Sequence, residues 1–199
     1  MCNEARHRIL LGELREDWGE TGIPLRFPEG APNMAPLDSI RITDTAVILR
    51  ASGVGPGEAE AVTRRWSWPG PSGRPVYNYR SEGRAFAGGG EAGRCLVPVD
   101  GFFEFTAPTP GERRKTRWLV THAHEPWFAL AGWWRRDAGV GEAFTLLTCE
   151  PGPDIAPIHP RQMVIVPRAH WAGWVDGGVA AGEVCRPLEA GTLRVERVG

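Results

Sequence analysis

Apolar residues in this chain come in short runs separated by glycine and proline, a rhythm of brief strands rather than long amphipathic helices. The runs Ala46–Leu49, Arg94–Val99, Trp118–Thr121, Trp127–Trp133, Ala143–Thr148 and Met163–Val166 predict strands. Helical spacing is scarcer. Leu10, Leu14 and Trp18 recur at every fourth position within Ile9–Trp18, and Gly57–Arg64 and Arg168–Val175 predict two further short helices. Pro153–Ile158 predicts a single helical turn. Ala87–Gly93 and Thr106–Arg117 read as exposed loops and not as linkers, because strand-like segments continue on both sides. The expected class is α+β: a single compact domain over residues 1–199, with a mainly antiparallel β-sheet or barrel core and a few short helices. No internal repeat is visible.

Composition narrows the picture modestly. At 199 residues the chain is long enough to bury a core without staples, and its four cysteines, Cys2, Cys95, Cys149 and Cys185, show no metal-ligand spacing. We read the thiols as reduced, with Cys95, Cys149 and Cys185 as buried apolar packing. No leader or membrane-length apolar run is present, so the expected location is the cytoplasm. A formal net charge of -1 supplies no global attraction to nucleic acid, so any such contact must rest on a local patch. The cations are almost all arginine, Lys115 being the one lysine, which fits a GC-rich coding bias. Among nine tryptophans, Trp66 and Trp68 follow Arg64 and Arg65, an interleaving suited to stacking bases, with packing favoured for Trp68. His122 and His124 share a face if extended, but no third ligand accompanies them, and we expect surface residues with no metal or cofactor.

Polar residues inside apolar or glycine-rich surroundings mark the candidate chemistry. Cys2 follows Met1 directly, so excision of the methionine would leave an N-terminal cysteine whose amine and thiol can close a thiazolidine ring on an aldehyde. Their ordinary pKa values, roughly 8 for the amine and about 8.5 for the thiol, leave both near reactivity at neutral pH. Asn78 and Arg80 lie in Val76–Glu82, His159 and Arg161 in Ile158–Met163, Asn33 in Pro32–Pro36, and Glu104 among Phe102, Phe103 and Phe105. In a strand Glu104 shares a face with Phe102, and the pattern alone favours a solvated carboxylate. Taken one by one, His159 reads as a structural histidine, Arg80 as a partner of Glu82 and Asn78 as a turn residue.

Together these segments resemble the SOS-response-associated peptidase family, whose members process abasic sites in single-stranded DNA. The resemblance runs through Met1-Cys2-Asn3, Asn33–Pro36, Arg65-Trp66 with Trp68-Pro69, Asn78–Glu82, Arg94–Phe105 and Ile158–Arg161, in the family's order. It implies that Cys2, Asn78, Glu104 and His159 are catalytic, and that Arg80, Arg161, Trp66, Pro36 and Asn33 contact DNA. By the same resemblance, Cys2 forms a covalent crosslink with the lesion, Glu104 moves protons, His159 assists sugar opening or reversal, and Asn78 orients the Cys2 terminus. The implied partner is single-stranded DNA containing abasic sites, bound by a monomer without cofactor, metal or membrane. Four positions depart from the family pattern: Glu4 stands where many members have arginine, Gln162-Met163 where Met-Pro is common, and Phe105 where tryptophan follows the glutamate. Two other functions remain open at this point, a thiol peptidase using Cys2 with His159 as base, and a non-covalent single-strand-binding module.

Overall fold

The computed structural model describes residues 2–53, 57–108, 111 and 113–199. In chain order the N-terminal part holds β1 (Glu4–His7), α1 (Leu11–Gly19), β2 (Leu25–Arg26), β3 (Leu37–Arg41), β4 (Thr45–Ala51) and β5 (Ala59–Trp66). The middle holds β6 (Trp68–Pro69), β7 (Pro75–Val76), β8 (Asn78–Arg80), β9 (Ala92–Val99), β10 (Gly101–Thr106) and β11 (Thr116–His122). The C-terminal part holds β12 (Phe128–Asp137), β13 (Gly141–Cys149), β14 (Gln162–Met163), β15 (Ile165–Val166), α2 (Trp171–Asp176), α3 (Ala181–Val184) and β16 (Leu193–Arg197).

Five of these strands close a barrel. Antiparallel pairing runs β5, β4, β9, β12, β13, and a short parallel contact, Phe144 opposite Trp66, joins β13 back to β5. A second sheet, ordered β16, β11, β10, β1, β3, is antiparallel throughout. Four of the barrel strands, β4, β9, β12 and β13, are apolar on both faces over most of their length, which is why they read as unbroken hydrophobic runs. On β4, Val47 and Leu49 face one core with Leu14 and Trp18 of α1 and Trp171, Trp174 and Val175 of α2, while Ala46 and Ile48 face a second core. That second core fills the barrel and reaches Ala5, Ile40, Phe102 and Val120 of the other sheet. Cys2 lies in it too.

The expected strands all form, with one refinement: Met163–Val166 divides into β14 against β13 and β15 against β12. Val164 between them bridges both neighbours, its N–H donating to the Leu147 carbonyl and its own carbonyl accepting from Ala131. The helix expected at Gly57–Arg64 is instead most of β5. Its alanines and glutamates suit a helix locally, but Ala59 and Ala61 alternate with Glu60 and Val62, and in-register pairing with β4 makes strand the better burial. Arg168–Val175 forms a 3₁₀ turn followed by α2, and Pro153–Ile158 forms the expected turn. Within Thr106–Arg117, Thr109, Pro110 and Glu112 lie outside the described residues. Cys95 and Cys149 are buried as expected, whereas Cys185 is only half-buried, beside the Ser81 hydroxyl.

Candidate active site

Cys2 precedes β1, and β1 pairs with β10 so that Glu4 lies opposite Phe103. That register brings the start of the chain beside Glu104. Phe103 and Glu104 point to opposite faces of β10: Phe103 packs under the Arg117 guanidinium, 3.6 Å from its ring centroid, and Glu104 turns inward with Phe102. The carboxylate is therefore not solvated. Only 1 % of Glu104 is exposed, because the barrel covers the face that the sequence left ambiguous.

Burial pushes the Glu104 carboxyl up to about 7, although the Cys2 backbone N–H donates to it and favours the ionised form. Cys2 is fully buried. Its thiol donates to the Glu4 carbonyl at 3.2 Å, and burial, with the Glu104 charge, holds its pKa far above the usual range for a thiol. Asn78 Nδ2 donates to the Cys2 carbonyl at 2.7 Å. The orienting role expected of Asn78 thus has a geometric counterpart, made possible because β8 runs parallel to β13 with Asn78 opposite Leu146.

His159 enters from the turn after β13. Its Nε2 stands 3.9 Å from Glu104 Oε2, a charge-pair distance and too long for a direct hydrogen bond. Nδ1 lies 3.0 Å from the Arg161 N–H and 2.8 Å from the Arg161 carbonyl; the ring accepts from the first only when Nδ1 is bare and donates to the second only when it is protonated. Burial lowers the His159 pKa and favours the neutral ring, whose tautomer decides whether Nε2 presents a proton or a lone pair to Glu104.

The structure draws four of the expected residues together, Cys2, Asn78, Glu104 and His159, and distributes the others differently. Arg161 is held inside: Nη1 and Nη2 bond the Glu82 carboxylate at 2.5 and 2.9 Å, and Nη2 also donates to the Thr148 carbonyl at 2.8 Å. Glu82 thus pairs with Arg161, whose hydrogen bonds lower the pKa of its carboxyl. Arg80 is exposed at the end of β8. Trp66 is buried and stacks on Phe144, and its Nε1 donates to the Tyr77 carbonyl at 3.0 Å, so it supports the segment that carries Asn78 and offers no open ring face. Asn33 and Pro36 are exposed around the buried Met34, with Asn33 Oδ1 accepting from the Ala35 N–H. His122 spends Nδ1 on the N–H groups of His124 and Glu125, and it is half-buried rather than on the surface.

Several supporting residues escaped the sequence reading. The Thr148 carbonyl accepts from the Ser81 N–H and hydroxyl, each at 2.9 Å, as well as from Arg161. Gln162, noted only as a departure, is buried and accepts from the Gly152 N–H at 2.9 Å, bracing the turn that ends at His159. A glutamine leading an apolar run was the signal for it. Gly152 itself is obligatory: a Cβ there would lie 2.5 Å from the Leu188 carbonyl oxygen.

Solved structures share this fold. A protein from Bacteroides thetaiotaomicron aligns with a TM-score of 0.73 at 14 % identity, covering 100 % of this chain and 92 % of that one. A protein from Bordetella bronchiseptica aligns with a TM-score of 0.69 at 19 % identity over 100 % of both chains. A phage-related protein from the same organism aligns at 0.71 and 18 % identity, covering 99 % and 94 %. No curated protein matches the chain. Among the described residues no helix is long and apolar enough to cross a membrane. The family model described as SOS response associated peptidase (SRAP) matches residues 6–199, from just beyond Cys2 to the last residue, and the chain belongs to that family.

Proposed function

We propose that this protein captures abasic sites in single-stranded DNA as a covalent adduct through Cys2, once Met1 has been removed. The observation that carries the reading is the surrounding of Cys2: Asn78 on its carbonyl, and Glu104, with a carboxyl near 7, bonded to its nitrogen. Excision converts that nitrogen from an amide to an amine beside a group able to accept and return a proton at neutral pH.

The chemistry balances without a cofactor. The Cys2 amine adds to C1′ of the ring-opened sugar to give a carbinolamine, and Glu104 protonates the departing hydroxyl as water leaves and an imine forms. The thiol sulfur then adds to the imine carbon and its proton passes to nitrogen, closing a thiazolidine. His159 assists ring opening at the sugar oxygen, and exposed Arg80 meets a phosphate. A thiol peptidase fits the geometry less well, because such an enzyme works through a thiolate. Here burial favours the neutral thiol, and that thiol bonds the Glu4 carbonyl, with His159 turned toward Glu104.

The test is intact mass and denaturing electrophoresis of the mature protein incubated with abasic single-stranded DNA. The adduct is expected at the mass of protein plus DNA minus one water, and Cys2→Ala is expected to abolish it while retaining salt-sensitive binding. An undiminished adduct from Cys2→Ala would sink the mechanism.

A further inference from the structure

On β10, Phe103 and Phe105 face away from Glu104, and they share that face with Glu4 of β1 and Arg117 of β11. Glu4, Phe105 and Arg117 line a cleft of about 590 Å³, with Asn3, Ser39 and Arg41. It begins one residue beyond Cys2, whose thiol bonds the Glu4 carbonyl.

The floor of this cleft is a carboxylate. Glu4 is buried, and Oε1 accepts from the Ser39 hydroxyl at 2.6 Å and from Arg117 Nη2 at 2.7 Å. Both bonds fall on the same oxygen, so both lone pairs of Oε1 are engaged while Oε2 keeps its acceptor capacity, on a residue that lines the cleft. Phosphate is the wrong occupant for such a floor: Arg117 is spent on Glu4 and Asp38 also lines the cleft, so a phosphate would set anion against anion. The fitting occupant is a flat group carrying an N–H donor: Phe105 offers a ring for it to stack on, and the exposed Arg41 guanidinium at the rim, 3.8 Å from Glu4, takes the negative charge attached to it.

We infer that this cleft reads the nucleobase next to the lesion, favouring one that presents an exocyclic amino group, as cytosine, adenine and guanine do, over thymine. The inference rests on the single-stranded DNA reading above and adds a sequence preference to it. Thymine's one edge donor, N3–H, lies between two carbonyl oxygens that would face the carboxylate unfavourably, whereas the other bases present an amino group with two hydrogens. Contacts to the flanking nucleotide are a general source of context preference in proteins that act on an extruded nucleotide.

The experiment uses single-stranded oligonucleotides with a tetrahydrofuran abasic analogue, which has no aldehyde, so binding is measured apart from crosslinking. The base on each side of the analogue is varied in turn among cytosine, adenine, guanine, thymine and uracil, and fluorescence anisotropy reads the affinity. At one flank the amino bases are expected to bind about fivefold to tenfold more tightly than thymine, with uracil grouping with thymine because the methyl is not what is read. Glu4→Gln can keep both bonds on its carbonyl oxygen while replacing Oε2 with an N–H₂ donor, so it is expected to raise thymine to parity with the amino bases or above them. Thermal unfolding of that variant checks that the fold is intact. Equal affinities at both flanks in the parent protein, or a preference that survives Glu4→Gln unchanged, would overturn the inference. Adduct assays on natural abasic DNA, run in parallel, separate the two readings. Adduct without base preference removes this cleft's role and leaves the crosslinking; base preference without adduct does the reverse.

Discussion

The barrel has two covers, and they are built on opposite principles. On the helical side, α1, α2 and the segment before β12 bury Trp18, Trp127, Trp171 and Trp174, and every indole N–H has a partner: Ile23, Asp17, Val166 and Cys95 respectively. On the other side, the second sheet brings in Glu104, His7 and Glu4 together with the Cys2 thiol. Burying a tryptophan with its N–H bonded adds stability, whereas burying a carboxyl whose pKa rises subtracts it. In Glu104 the second cover holds a group that weakens the fold, where a chain dedicated to packing alone would have placed an apolar residue.

If that contrast is right, changes on the two sides separate into loss of chemistry and loss of stability. The largest effect is expected from Glu104→Gln, which keeps the shape and removes the titration. Crosslinking should slow by about 10²–10⁴-fold, the usual contribution of a positioned acid or base. An open-chain aldehyde in place of the cyclic sugar should rescue His159→Ala at least partly and Glu104→Gln little; rates on both substrates across pH provide the check. The same variant alters stability with a definite sign. A carboxyl raised from 4.5 to about 7 holds more protons in the folded than in the unfolded state between those values. Parent stability therefore falls as pH rises from about 4.5 to about 7 and levels off above it, and Glu104→Gln should lack that slope in urea titrations.

Trp174→Ala should show the reverse pattern. Removing a fully buried indole from the helical cover is expected to cost about 3–5 kcal/mol in denaturant unfolding, with the crosslinking rate of the remaining folded molecules little changed. The smallest effect is expected from Arg80→Ala, on the exposed rim. It should lower the slope of log affinity against log salt by about 0.7, the value for one phosphate contact on single-stranded DNA, and leave unfolding where it was. An Arg161→Ala variant confined to the same small effect would contradict the bonds of Arg161 to Glu82 and to the Thr148 carbonyl described above.

How far the sequence carried this picture depended on whether local pattern or long-range pairing decided each feature. The runs at Ala46–Leu49, Trp127–Trp133 and Ala143–Thr148 were legible as strands because they are apolar on both faces, whatever they pair with. Gly57–Arg64 misled because its alanines and glutamates favour a helix locally, and only pairing with β4 and β2 decides for strand. The direction of Glu104 was undecidable from the Phe102–Phe105 alternation, since both faces of β10 carry a phenylalanine and covering by the barrel chooses between them. Arg161 read as a phosphate ligand because its partner lies far off in sequence, at Glu82. Trp66 failed as a base-stacking wall for a similar reason, since Phe144 covers it from a strand that only barrel closure brings near.

The oxygen of Thr148 fixes more than a few bonds. Side chains along a strand alternate between faces, so sliding β8 past β13 by one residue would turn Asn78 away from Cys2 and present a tyrosine in its place. Three hydrogen bonds converging on one carbonyl, two from Ser81 and one from Arg161, act as an index mark that permits a single alignment. Because Arg161 also frames the His159 ring, the same mark sets where that imidazole stands. Two segments far apart in sequence, around Asn78 and around His159, are thereby counted from a common origin.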